Sequence, residues 1–338
     1  MHGRRLLHCV CVLLLVAGCA PADPGAALLG DYRARVLRTL AGDPGATPEF
    51  SLAPWPRTRD RRLEVPAQRA DLIEFLRLQN CGLGALVGNR ASSLGRVMRP
   101  PERLRYELAF LEEGARCLAE LDAEEESEMR AFLEEVLGAK RDALGAVIWN
   151  ATLGSDALAR QHALGADSLE PAATRGAGAA ATGALHGLAD RAAGSVDHRV
   201  EDWHAPWEAL AASRFGGRLR RSLEVLAVEL EAVAEALEAR GLLCPAGRAS
   251  ERARILENVF RRYYVVGVQP YLAEVDGAAA DWAGALARLA EVQRVIVPET
   301  LAPDPARRSL ARMRAARDRH TRAWQDTLSA CGLGPGSS

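Results

Sequence analysis

Leu219-Arg220-Arg221-Ser222-Leu223-Glu224-Val225-Leu226-Ala227-Val228-Glu229-Leu230-Glu231-Ala232-Val233-Ala234-Glu235-Ala236-Leu237 is the stretch that decides the fold class. Leu219, Leu223, Leu226, Leu230, Val233 and Leu237 recur in alternating steps of four and three, an a/d seam held over almost three heptads. A helix carrying such a stripe must bury it. The run is short for a dimeric coiled coil, so it reads as a core helix of a bundle, with the two-chain coil as the alternative.

Downstream, Gly241 has the position of a C′ glycine, and Ser250 that of the next N-cap. Pro270 is expected to kink or end that helix. Trp282, Leu286, Leu289, Val292 and Ile296 form another stripe, and Asp304-Pro305 opens a last helix. Upstream, a first helix is expected near residues 26–40. Five prolines between 43 and 66 predict an extended stretch, followed by a helix over 67–87. Pro100-Pro101 separates this from a partner helix over 102–121, which suggests a helical hairpin. Helices over 124–140 and 142–153 follow. The Ala/Gly-rich stretch 166–185 reads as a linker or loop. Aromatics are only 5% of the chain while alanine and leucine dominate, which favours helix over sheet.

The N-terminus reads as an address. Arg4 and Arg5 precede the largely apolar run Leu6–Val16, too short to span a bilayer and fitting the h-region of a signal peptide. Leu15-Val16-Ala17-Gly18-Cys19 resembles the lipobox of bacterial lipoproteins. That resemblance implies cleavage before Cys19, a diacylglyceryl thioether on its sulfur and an acylated new amino terminus. Ala20, where an aspartate would resemble an inner-membrane retention signal, points to the outer membrane.

Removing residues 1–18 leaves 320, enough for a substantial core. The net charge is -1, and becomes -3 once Arg4 and Arg5 leave, unlike a nucleic-acid binder. Four cysteines remain besides Cys19: Cys81, Cys117, Cys244 and Cys331. An even number in an oxidising compartment suggests two disulfides, and the clustering favours Cys81–Cys117 and Cys244–Cys331 over the other two connectivities. None sits in a CxxC pair.

Motifs that carry chemistry are weak. Gly82-Leu83-Gly84-Ala85-Leu86-Val87-Gly88 has its third glycine one place late for a dinucleotide loop and no strand before it, so close helix packing is the simpler reading. Asp197–His204 gathers metal-capable side chains, but His204 falls off the face shared by His198 and Asp202. HExxH, GxSxG and Walker patterns are lacking, and neither a metal nor a cofactor is implied. Seven arginines between Arg307 and Arg322 read as a solvated basic face or a surface for anionic headgroups.

The most unusual stretch is Asn89–Glu107, a polar, arginine-rich connection between apolar helices. With Leu72–Leu78, Cys81, Phe110–Cys117, Trp149-Asn150, Cys244, Glu257-Asn258-Val259-Phe260, Tyr263, Tyr264 and Val268–Leu272, it resembles a domain-of-unknown-function family of gammaproteobacterial lipoproteins. The resemblance spans most of the mature chain, its specific blocks about a quarter of it, and residues 166–216 fall outside them. It implies a lipid anchor and helices, and carries over no activity and no catalytic residue.

The fold expected is all-α: a helical bundle-like periplasmic domain behind a lipoprotein signal peptide. The parts are a signal peptide 1–18, a lipidated tether 19–27, a helical part 28–165, the linker 166–185 and a helical part 186–332, the two helical parts packed as one domain. Asn89, Arg90, Arg96, Arg103 and Tyr106, with Arg99 beside them, and Asn258, Tyr264 and Gln269 are expected to line one cleft, since arginine and tyrosine suit recognition of carboxylate or phosphate. The alternative is that Arg96 and Arg103 cap helices and bind carboxylates such as Glu257. The expected function is a non-enzymatic binding or scaffold module, lipid-anchored at the outer membrane and facing an envelope protein or anionic ligand. The alternative is an enzyme acting on peptidoglycan or lipid, with Glu102 or Glu107 as general acid.

Overall fold

The computed structural model describes residues 23–43, 45, 48–66, 82–122, 126–165, 167–241, 243–298, 300–301 and 305–334. The expected signal peptide, Cys19, Cys81, Asp304 and most of the helix expected over 67–87 lie outside them. Among the described residues the chain is helix and connection, without a strand. None of the described helices is long and apolar enough to cross a membrane.

Helix α1 is Pro24–Thr39. It starts earlier than the expected tether allowed, because the Asp23 carboxylate accepts the Ala26 N–H at 3.1 Å and Pro24 takes the first helical position. A single turn, α2 (Thr58–Arg61), interrupts the proline-rich stretch. Helices α3 (Leu83–Ala91) and α4 (Ser93–Arg96) form an elbow. In that motif Gly82 takes the N-cap position of α3, where a Cβ would lie 3.2 Å from Glu113 Oε2, while nothing would meet a Cβ at Gly88.

Helices α5 (Pro100–Glu120) and α6 (Ser127–Ala151) make the hairpin. Contacts of Lys140 with Glu107, Leu137 with Gly114 and Arg130 with the Leu118 carbonyl set them antiparallel. The two helices expected over 124–153 are therefore one. Leu133, Leu137, Leu144, Val147 and Ile148 are all buried, so a single apolar stripe continues across residue 141.

The chain continues through α7 (Asp156–Gln161), α8 (Ala179–Ala193) and α9 (Ala205–Ala211) to α10 (Phe215–Glu238). The Ala/Gly-rich stretch is not a loose linker. Ser168, Leu169, Thr174, Ala181, Ala184 and Leu185 are buried, and a Cβ at Gly178 would overlap the Phe215 ring. Small side chains there permit close approach, which composition alone reads as having little to pack.

Helix α10 is the centre of the main core. Its a/d positions are wholly buried, and Val225, Ala227 and Val228 are nearly so, so the seam is satisfied within the chain. It ends at Glu238, and Gly241 does not take a left-handed conformation. Helix α11 (Glu251–Val259), capped by Ser250, runs through a π-helical segment Phe260–Val268 into α12 (Gln269–Glu291). Pro270 thus neither ends nor breaks the rod. Its ring excludes an α-helical carbonyl four residues back, and the wider turn, with Gln269 N–H donating to the Tyr264 carbonyl, lets the chain pass. Ile296 lies beyond α12 and is fully exposed, so it is no part of the stripe.

The last helix, α13 (Pro305–Ser329), packs along α10. Its arginines are largely spent within the fold: Arg312 on Glu224 and Glu231, Arg314 and Arg317 on Asp276, Arg319 on Glu238. Cys244 and Cys331 form a disulfide that joins the loop after α10 to the end of α13. Cys117 is in disulfide form as well, and its expected partner Cys81 lies outside the described residues. Around Cys117, with Leu83, Tyr106, Phe110, Leu133 and Leu137, a second, smaller core fills the far end of the hairpin.

Candidate functional site

Arg61 builds one wall of a cleft. It is fully buried and its guanidinium donates to the carbonyls of Pro56, Leu153 and Ser155. Burial pushes its pKa down to about 10. Asn150 then holds Leu63 as a neighbouring strand would: Leu63 N–H donates to Oδ1 at 2.9 Å, and Nδ2 donates to the Leu63 carbonyl at 2.8 Å. Trp149 Nε1 donates to the Arg61 carbonyl at 2.7 Å. The proline-rich segment is thereby fixed against α6.

The opposite wall is pinned by tryptophan. Trp203 Nε1 donates to the Pro101 carbonyl at 3.1 Å and Trp207 Nε1 to that of Ala151 at 2.6 Å. Arg191, largely buried, donates to the carbonyls of Asp202 and Trp203. Between the walls lies a cleft of about 680 Å³, bounded by residues 62–65, 97–103, α7 and α9. Val65, Met98, Val147 and Trp207 give it an apolar floor.

Arg62, Arg99, Arg103 and Arg160 line the cleft, against Asp156 and Glu208 as the acidic groups. Arg62 lies 3.9 Å from Asp156, and Arg103 Nε is 2.5 Å from Glu107. Arg99 and Arg160 are exposed and make no ion pair among the described residues. His204 Nε2 sits at the same cleft, 2.6 Å from Glu102.

Of the residues expected to share a site, Arg103 and Arg99 reach this cleft. Asn89 and Arg96 are exposed on the elbow, and Arg90 donates to the Gly95 carbonyl. Tyr106 is in the second core, where burial and Glu107 push its hydroxyl up to about 12. Asn258, Tyr264 and Gln269 do not line the cleft. Asn258 and Gln269 face solvent, while the Tyr264 ring packs 4.5 Å from His320 and 5.6 Å from Tyr32. The two stretches do not share the cleft, because the π-helical segment packs on α1 and, through Tyr264, on His320 of α13. Arg62, Arg160 and Trp207 were not legible as site residues; nothing in their local sequence marks them.

The metal-capable side chains of 197–204 are drawn apart as well. His204 contacts Glu102, whereas His198 lies 3.3 Å from Glu112, which Arg199 also holds. Among the described residues no group of three His, Cys, Asp or Glu is placed to hold a metal. Glu107 is buried between Arg103 and Lys140, so of the two candidate acids Glu102 alone stands near the cleft.

Two histidines are buried elsewhere. His162 stacks on Trp55 with ring centres 3.9 Å apart, and burial, with Arg220 and Arg61 nearby, pushes its pKa down to about 3. His320 accepts or donates at Nε2 with the Tyr32 hydroxyl at 2.8 Å, and burial again holds it near 3.

A family model described as Protein of unknown function (DUF3080) matches residues 29–335. Neither a curated protein nor a solved structure matches the chain.

Proposed function

We propose, for a chain that belongs to the DUF3080 family, a lipid-anchored envelope protein whose helical domain is a non-enzymatic binding module for an anionic ligand. The observation that carries this is the cleft itself: Arg62, Arg99, Arg103 and Arg160 over an apolar floor, with Arg99 and Arg160 in no ion pair among the described residues. A guanidinium offers a planar donor fork that matches carboxylate or phosphate, and an adjoining apolar surface holds the rest of an amphiphilic ligand.

Location rests on the leader-like run before Cys19 and on Ala20 after it, which favours the outer membrane. The Cys244–Cys331 disulfide is consistent with an oxidising compartment. Two or more acyl chains on Cys19 anchor stably where one does not.

An enzyme acting on peptidoglycan or lipid is the second reading, and the Glu102–His204 pair favours it. A carboxylate 2.6 Å from an imidazole can orient that ring as a proton acceptor facing the cleft. Incubation with purified sacculi separates the two: released fragments that disappear with His204→Ala establish the enzyme.

The binding reading is tested on the full chain. Cells fed labelled palmitate label the wild type and not Cys19→Ser; an unlabelled wild type refutes the anchor. Arg160→Ala keeps the melting temperature and captures at least roughly tenfold less ligand from crosslinked envelope, since one charge-assisted contact is worth about 1.5–3 kcal/mol. Undiminished capture refutes the cleft.

A further inference from the structure

The α3–α4 elbow is built as a rigid projection. Ser92 Oγ accepts the Gly95 N–H at 3.0 Å and donates to the Asn89 carbonyl at 2.7 Å, and the Arg90 guanidinium donates to the Gly95 carbonyl. Gly95 is buried at the crossing, where a Cβ would lie 2.6 Å from the Arg90 carbonyl oxygen. Leu86, Val87 and Met98 tie the elbow to the second core.

On this fixed frame stand Leu94 and Val97, 81% and 73% exposed. They are three residues apart and share a side of the turn. A solitary exposed apolar residue is ordinary, but two on a braced elbow are displayed. From Gly82 to Pro101 the chain has Arg90, Arg96 and Arg99 and no acidic residue. Arg96 and Arg99 are exposed and make no ion pair among the described residues, whereas Arg312, Arg314 and Arg319 of α13 are paired with Glu224, Glu231, Asp276 and Glu238. The surface is apolar at its tip and cationic at its flanks. It is far too small for a stable protein interface, which needs about 800 Å² per partner. Its shape and charge suit the boundary between headgroups and acyl chains, where shallow apolar insertion and attraction to anionic lipid act together.

We propose that the elbow is a membrane-docking wedge: Leu94 and Val97 enter the headgroup–acyl boundary of an anionic leaflet, and Arg96 and Arg99 meet its phosphates. This rests on the reading above for the lipid anchor, which holds the chain at the surface; Val97 and Arg99 border the cleft as well, so Arg96, which does not line it, separates the wedge from the cleft.

The test uses the full chain carrying Leu94→Cys, labelled with an environment-sensitive nitrobenzoxadiazole dye. It is reconstituted with vesicles of phosphatidylethanolamine and phosphatidylglycerol, and separately with phosphatidylcholine vesicles. Leu94 is already exposed, so the label does not disturb packing; Val97→Cys repeats the measurement, and Leu164→Cys, exposed elsewhere, is the control. The expected result is a blue shift and quenching by lipid-borne quencher at positions 94 and 97 in the anionic vesicles alone, lost with Arg96→Ala. Chains that float with anionic vesicles but keep aqueous emission overturn the wedge and leave the anchor standing. Equal shifts in both vesicle types overturn the role of the arginines and with it the proposal. Chains that float with neither overturn anchor and wedge together.

Discussion

Lys140, the only lysine of the chain, donates from Nζ to Glu107 Oε2 at 2.7 Å across the buried face between α5 and α6. Arg103 reaches the other oxygen of the same carboxylate at 2.5 Å. The rings of Tyr106 and Phe110 cover the ammonium at 5.0 and 4.3 Å from their centres. Burial pushes the Lys140 pKa down, and Glu107 opposes that shift.

Lys140→Met leaves Glu107 buried with Arg103 alone. Leaving a buried charge with no partner costs about 3–5 kcal/mol; Arg103 still faces Glu107, so urea unfolding should show a loss below that range. Glu107→Gln in the same chain removes the half-compensated charge and should recover part of it. A double variant no better than Lys140→Met contradicts this account.

His162 and His320 make stability fall in acid. Each is held near 3 when folded, and an unfolded histidine titrates near 6.5. Between those values the unfolded chain binds protons that the folded chain refuses, so stability is full above about 6.5 and is lost as pH falls toward 3, at roughly 1.4 kcal/mol per pH unit for each histidine. Urea midpoints measured between roughly pH 7.5 and 5 should drop less in His162→Gln/His320→Gln than in the wild type. An unchanged drop assigns the acid sensitivity to other groups.

Gly95→Ala forces the elbow open. The atoms a Cβ would meet are the backbone carbonyls of Asn89 and Arg90, which cannot move aside as a flexible side chain would. Hydrogen exchange of residues 89–97 should quicken, while the main core, which the elbow does not enter, keeps its protection. Unaltered exchange at the elbow shows that the turn is not so tight.

The Cys244–Cys331 disulfide closes a span of 87 residues. Chain entropy assigns such a loop about 3–5 kcal/mol. Cys244→Ala/Cys331→Ala should lower the urea midpoint accordingly, and non-reducing peptide mapping of the wild type should recover 244 joined to 331. A linkage of either to Cys117 rejects the pairing.

The legible part of the fold was periodic or punctuated. The 219–237 seam, the Ser250 cap and the proline start of α13 act within one or two turns, and the structure keeps them. Of the two outcomes expected at Pro270, a kink or an end, the end does not occur: the π-helical segment is a wider turn that local α-helical rules do not anticipate. Residues 166–185 were misleading because Ala and Gly look too small to pack, although Gly178 is what admits the Phe215 ring. In the cleft, Arg103 was singled out by its position in an arginine-rich connection, yet its partner Glu107 is one helical turn away and takes it for the fold.

By itself the sequence determined the all-helical class, the central place of residues 219–237 and the arginine-rich connection, since helix period, caps and composition are properties of neighbours along the chain. Only the tertiary structure decided which arginines remain free. Arg312 meets Glu224 across 88 residues and Arg319 meets Glu238 across 81, so these arginines of α13 are taken up by distant carboxylates of the fold. Arg99 and Arg160, no different in local sequence, are left at the cleft unpaired among the described residues. An ion pair depends on distance in space, falling off steeply with separation and solvent, and that distance is set by how the helices pack.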